Sequence, residues 1–159
     1  MKLEKSIGDL LREQNWTLSA AESCTGGLVS DRITNVSGSS DYFKGGIVSY
    51  SNRAKEEHLS IPMKYIESYG AVSSQMARRM AQGVRNVFHT TFGLSTTGVA
   101  GPTGGTKKTP VGRVFIAVSN GKRTLVRRET FKGGRRTIKK EVAEKSFWLL
   151  YDFIPKRLK

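Results

Sequence analysis

Three short stretches hold most of the side chains able to do chemistry. The first is Ala21-Glu22-Ser23-Cys24-Thr25-Gly26-Gly27, with a carboxylate, two hydroxyls, a thiol and two glycines in seven residues. A β-prone run, Thr17 to Ala21, leads into it, and an apolar-periodic run resumes at Leu28. Strand, Gly-rich turn and helix in that order aim backbone N–H groups at an anion or oxyanion. The glycines admit a ligand close to the backbone because no Cβ stands in the way. Ser23 and Thr25 can supply a nucleophile, a hydrogen bond or a helix N-cap, and residue chemistry alone favours the cap. The stretch is neither a Walker A loop nor a GxSxG elbow.

The second stretch, Tyr50-Ser51-Asn52-Arg53-Ala54-Lys55, runs from a strand end into a helix start, where ligands bind open α/β sheets. A lone Lys in a first helical turn ordinarily faces solvent. The third, Gly98-Val99-Ala100-Gly101-Pro102-Thr103-Gly104-Gly105, is too glycine-rich for regular structure. It follows a small-residue strand, Gly93 to Gly98, and suits close approach by a ligand.

The remaining elements must position these three stretches. Leu3, Ile7, Leu10 and Leu11 predict an amphipathic first helix with one buried stripe. Leu28 to Val36 reads as a helix, and Val36-Ser37-Gly38-Ser39-Ser40-Asp41 as a turn. Gly45 to Tyr50 reads as a short buried strand, followed by a helix from Asn52. Ser73 is the expected N-cap of a helix striped by Ala77, Met80, Ala81, Val84, Val87 and Phe88. Val111 to Ser119 is strongly β, Asn120-Gly121 is a hairpin signal, and Lys122 to Lys132 reads as a charged edge strand. A final helix starts at Arg135. This pattern predicts one mixed α/β domain, a sheet with helices on both faces.

Bulk properties narrow the function classes. The chain has 159 residues, 37% of them hydrophobic, enough for one domain with a real core. No run reaches the ~18 apolar residues needed to span a bilayer, and no signal-peptide pattern opens the chain. The single cysteine, Cys24, fits a reducing compartment, so the expected location is cytoplasmic, with no membrane partner. His58 and His89 show no metal-ligand spacing, so no metal and no cofactor are called for. Net charge is +14, and the 107–140 segment holds twelve basic residues against one acid, Glu129. That segment favours polyanions or a phosphate-bearing substrate, or is a solvated face. Phe115, Phe131, Phe147 and Trp148 sit in element interiors rather than interleaved with the basic residues, which argues against a nucleic-acid partner.

Four ordered blocks together resemble the CinA C-terminal domain family: Glu22-Ser23-Cys24-Thr25-Gly26-Gly27, Gly38-Ser39-Ser40, Tyr50 to Lys55, and Gly98 to Gly105. The resemblance covers nearly the whole chain. It implies a three-layer α/β/α domain with a mixed sheet over residues 1–159, without the N-terminal pyrophosphatase-like domain of two-domain members. That family includes stand-alone nicotinamide-nucleotide amidohydrolases, which convert nicotinamide mononucleotide to nicotinate mononucleotide and ammonia. By that resemblance Ser23, Ser40, Tyr50, Lys55 and Thr97 are catalytic residues. Thr25, Gly26, Gly27, Gly101, Gly104 and Arg135 contact substrate, and the protein is a homo-oligomer. Amide hydrolysis then calls for Ser23 or Ser40 as nucleophile, a neutral Lys55 as base, and the amides of the Thr25-Gly26-Gly27 turn as oxyanion or phosphate donors. A catalytically weak nucleotide-binding domain and a basic nucleic-acid-binding module are the alternatives. The chain departs from the family pattern at Thr103, at the basic Thr106-Lys107-Lys108-Thr109 loop, and at Gly134, where an acid normally precedes the arginine.

Overall fold

A computed structural model describes residues 2–155. The amphipathic N-terminus forms α1 (Lys2–Glu13), and the first chemistry-bearing stretch joins β1 (Leu18–Glu22) to α2 (Leu28–Thr34). A 3₁₀ turn (Ser39–Asp41) precedes β2 (Phe43–Val48), which is followed by α3 (Asn52–Leu59), α4 (Met63–Tyr69) and α5 (Ser74–Phe88). The chain ends with β3 (Phe92–Gly98), β4 (Arg113–Ser119), β5 (Thr124–Thr130) and α6 (Arg135–Phe153).

The five strands lie in the order β2-β1-β3-β4-β5. β2, β1 and β3 are parallel, and β4 and β5 run antiparallel to their neighbours. Asn120 makes the hairpin turn before β5, its Oδ1 accepting from the Lys122 and Arg123 amides at 3.1 and 2.8 Å.

The pleat sorts side chains to two helical layers. Leu18, Ala20, Phe92, Leu94, Val114, Ile116 and Val118 face α1, α2 and α6 in one cluster. On the other face Ala21 packs with Met76, Met80 and Val84 of α5 and with Leu59, Ile61 and Ile66, while Ala77, Ala81 and Ala117 close the gap beside them. Small residues on β3 let α5 come close: a Cβ on Gly93 would lie 2.1 Å from the Ala81 carbonyl oxygen. Ser95 Oγ donates to the Ala77 carbonyl at 2.6 Å, so this buried hydroxyl satisfies a helix carbonyl rather than meeting solvent.

Three expectations need correction. The second strand begins at Phe43 and lies at the sheet edge, with alternate residues exposed, rather than being a buried strand over 45–50. Two glycines and one ladder of partners suit an edge. The helix after Asn52 stops at Leu59, where Ser60 takes φ 54°, and a separate α4 follows Pro62. Trp148 is 48% exposed, on the solvent side of α6.

Candidate active site

β1 is central among the parallel strands: the chain leaves it for β2 on one side and returns to β3 on the other. The crevice beyond the carboxyl ends of β1 and β3 is therefore a topological switch point, where open α/β sheets bind ligands. Ser23 directly follows β1, and its amide donates to the Thr96 carbonyl at 3.0 Å, which holds it against the end of β3.

The turn after Ser23 is built on Glu22. This carboxylate is 1% exposed and accepts from five donors. Oε2 takes the Thr25 hydroxyl at 2.6 Å and the Gly27 and Val29 amides at 3.0 Å. Oε1 takes the Ser30 amide at 2.8 Å and the Ser30 hydroxyl at 2.7 Å. A buried anion thus caps the start of α2 from the preceding strand. Gly26 and Gly27 hold φ of 59° and 99°, left-handed values that glycine adopts without steric cost.

This arrangement redistributes the roles expected of the turn. The Gly27 amide is engaged by Glu22 and the Gly26 amide by the Ser23 carbonyl at 3.1 Å, so neither is free for an oxyanion. Thr25 is buried, its hydroxyl shared between Glu22 and Thr96, and it is not a nucleophile at the surface. Among the described residues, the amides of Cys24 and Thr25 donate to no backbone carbonyl. They are the donors nearest Ser23, and the residue after a nucleophile is a recurrent oxyanion donor.

Lys55 lies in the first turn of α3 yet is 1% exposed. The helix is capped by Ser51, whose Oγ accepts from the Ala54 amide at 3.0 Å, and Lys55 points inward to the residues that follow β1 and β2. Lys55 Nζ donates to the Ser49 carbonyl at 2.7 Å and reaches Ser23 Oγ at 3.2 Å. Burial pulls its pKa below the usual 10.5, with the Cys24 thiol opposing only in part. Nζ is placed to donate to both groups; in its neutral form the amine would keep the bond to Ser49 and could accept the Ser23 hydroxyl proton on its lone pair. By contrast, burial pushes the Cys24 thiol up to about 12, so this side chain is a wall and not a nucleophile.

Ser23, Cys24, Tyr50, Lys55, Thr97, Gly101, Gly104 and Arg135 all line one pocket of about 280 Å³. Arg135 opens α6 and crosses the pocket mouth, donating to the Gly101 carbonyl at 2.8 Å and to the Tyr50 hydroxyl at 2.6 Å. Two of its five N–H groups are so used, and three remain. Gly101 and Gly104 hold φ of 70° and 85°, and a side chain on Gly101 would collide with Val111. Thr97 Oγ1 donates to the Ala71 carbonyl at 2.6 Å, tying the 71–72 wall to the end of β3.

Ser40 is not brought to this pocket. It sits in the exposed 3₁₀ turn before β2, and β2 runs parallel to β1 with Phe43 opposite Leu18 and Val48 opposite Glu22. The length of a strand, roughly 15 Å at ~3.3 Å per residue, therefore separates Ser40 from Ser23. The sequence reading had left Glu22, Cys24 and Asn52 without roles here, though Cys24 and Asn52 line the pocket. An acid at the end of a strand, with a hydroxyl three residues on and a helix beyond, was the available signal for Glu22.

Comparison with known proteins carries the same imprint. Residues 1–154 match the model of the CinA C-terminal domain. A CinA-like protein of Syntrophus aciditrophicus is 48% identical over 153 residues, 96% of this chain and 36% of its own length. A putative competence-damage inducible protein of Desulforudis audaxviator is 43% identical over 151 residues, 95% of this chain and 37% of its own. The chain thus spans just over a third of these curated relatives. Among solved structures, the competence/damage inducible protein CihA of Agrobacterium tumefaciens superposes with a TM-score of 0.92 at 32% identity, covering 95% of this chain and 93% of that one. ComA of Klebsiella pneumoniae gives 0.92 at 26% identity, covering 96% and 94%. With its mixed five-stranded sheet between two helical layers and its site at the β1–β3 crevice, the chain belongs to the CinA C-terminal domain family.

Proposed function

We propose that this protein is an amidohydrolase acting on the carboxamide of nicotinamide mononucleotide, with Ser23 as nucleophile and Lys55 as its base. The observation that carries this reading is the Ser23 Oγ to Lys55 Nζ contact of 3.2 Å, made by a lysine that is buried and lowered in pKa. A surface lysine would stay charged and could not take a proton; burial shifts Lys55 towards the neutral amine that a serine needs.

Neutral Lys55 takes the Ser23 proton as Oγ attacks the carboxamide carbon, and the carbonyl oxygen becomes an oxyanion facing the Cys24 amide. Lys55, now protonated, gives its proton to the leaving nitrogen, and ammonia departs from the acyl-Ser23 ester. Water then attacks that ester with Lys55 again as base, releasing nicotinate mononucleotide and regenerating Ser23. Arg135, held by Tyr50 and Gly101, offers its remaining N–H groups to the 5′-phosphate at the pocket mouth. Thr97 and the two loop glycines shape the wall. The single, buried cysteine is compatible with reaction in the cytoplasm.

The test is ammonia release from nicotinamide mononucleotide by the purified protein, in chelator, beside Ser23→Ala. Stoichiometric ammonia and nicotinate mononucleotide from the wild type alone are expected. No release above background, or release equal in Ser23→Ala, refutes the assignment.

A further inference from the structure

A second groove, of about 400 Å³, adjoins the catalytic pocket. It is lined by Thr25, Gly26, Gly27, Leu28 and Asp31 from the turn and α2, and by Arg136, Lys139 and Lys140 of α6. The two cavities are back to back along both segments. Ser23 and Cys24 line one and Thr25 and Gly26 the other; Arg135 lines one and Arg136 the other. A shift of one residue, ~3.8 Å of chain, passes between them.

The groove is built for an anion with an apolar part. Arg136, Lys139 and Lys140 stand at i, i+3 and i+4, so they share one helix face, where like charges repel. None forms an ion pair with a described carboxylate, and Asp31 instead accepts from the Asn35 side-chain amide at 3.3 Å. Lys139 Nζ would lie 3.4 Å from a Cβ on Gly26, so the glycine leaves the ammonium open towards the groove. Leu28 is half-buried and supplies a floor on which a planar ring can lie. The volume falls in the ~300–1,000 Å³ range of small-molecule sites.

We propose that this groove binds a nucleoside diphosphate, with Arg136, Lys139 and Lys140 on the pyrophosphate and Leu28 under the base. Three cations match the charge of a pyrophosphate group better than that of one phosphate, and guanidinium and ammonium donors suit its oxygens. The site stands on its own residues and not on the amidohydrolase reading of the neighbouring pocket.

Titration of the full chain with ADP by calorimetry, in about 150 mM salt so that diffuse surface attraction is screened, tests this. Saturable one-to-one binding is expected. Lys139→Glu/Lys140→Glu weakens it roughly ten- to hundred-fold, by the loss of charge-assisted bonds. The same charge change at exposed, distant Lys64 and Lys122 leaves it unaltered. Lys140→Glu alone, at an exposed position, gives a partial loss and guards against misfolding of the double variant. Absence of saturable binding, equal loss in the distant pair, or tripolyphosphate binding as tightly as ADP overturns the proposal. Prior saturation with nicotinamide mononucleotide separates two sources of the ligand. Unchanged ADP affinity with weakened binding of a nicotinamide dinucleotide identifies the distal half of a dinucleotide; unchanged affinity for both identifies a free nucleoside diphosphate. ADP has no carboxamide and its binding is read without turnover, so failure here and failure of amide hydrolysis are separate results.

Discussion

Glu22→Gln isolates what the buried carboxylate does for the turn that carries Ser23, because it changes charge and one acceptor at nearly constant volume. The glutamine oxygen can keep the three donors on the Oε2 side, Thr25 Oγ1 and the Gly27 and Val29 amides. Its NH₂ then faces the Ser30 amide and hydroxyl, which the native Oε1 accepted at 2.8 and 2.7 Å. The hydroxyl can rotate and accept from the new amide; the Ser30 N–H cannot, and a stranded donor costs about 1–3 kcal/mol. The other bonds lose their ionic character, falling from about 1.5–3 towards about 0.5–1.5 kcal/mol each. Because bonds to one carboxylate are not additive, the total loss is about 3–5 kcal/mol, below the simple sum, and a large part of a typical 5–15 kcal/mol. For a domain of this size that is a fall in Tm of roughly 6–20 °C, and in urea a midpoint shift on the order of 1.5–2 M. Displacement of Ser23 by even ~1 Å would also lower kcat up to about 100-fold. The assay is paired urea melts and ammonia release on Glu22→Gln, with Glu67→Gln, an exposed carboxylate, as control within ~0.5 kcal/mol of wild type. A Glu22→Gln protein within ~1 kcal/mol of wild type, with unchanged kcat, would falsify the claim that this carboxylate organises the turn.

Four further outcomes are expected. Ser23→Ala and Lys55→Ala should each lower kcat by several orders of magnitude, with the double variant scarcely worse than the worse single, because nucleophile and base act as one unit; additive losses in single-turnover assays would show two independent roles. The acid limb of kcat/KM should rise with pH around a midpoint below 10.5, because burial lowers the Lys55 pKa and only its neutral form is a base. Lys55→Arg should be inactive, with no such limb. The sign for stability is the same: between the folded and unfolded pKa values of Lys55 the unfolded chain binds more protons, so unfolding free energy rises with pH there, and a pH series of melts in which Lys55→Met shows the same slope would contradict it. Arg135→Ala should lose roughly ten- to hundred-fold in kcat/KM on the nucleotide and little on its riboside, which lacks the phosphate; equal losses on both would move Arg135 from phosphate binding to amide chemistry.

The sequence carried the order of elements because periodicity and turn chemistry are local. The α1 stripe, the Ser73 cap that accepts from the Met76 amide at 3.0 Å, and the Asn120-Gly121 hairpin all act within a few residues. What escaped it was set across the sheet. Whether β2 is central or at an edge depends on which neighbours it finds, and its own six residues do not say. The two serines show the same limit at the site. Ser23 and Ser40 are both small hydroxyls beside glycine-rich turns, and nothing in their local chemistry ranks them. The ranking comes from strand direction: in a parallel sheet, the residue after β1 and the residues before β2 lie at opposite ends. Only the first end holds Lys55, which reaches it because α3 begins beyond the carboxyl end of β2. The lysine is legible in the same way. Read alone, a Lys in a first helical turn faces solvent, and its pKa stays ordinary. Ser49, carried by the end of β2, is buried and its carbonyl accepts from Nζ at 2.7 Å, which holds the amine in place, while the surrounding burial lowers its pKa. Charge state, and with it chemistry, is therefore a property of the β2–α3 corner, and a substitution there that admits water should raise the Lys55 pKa without touching either partner in the pair.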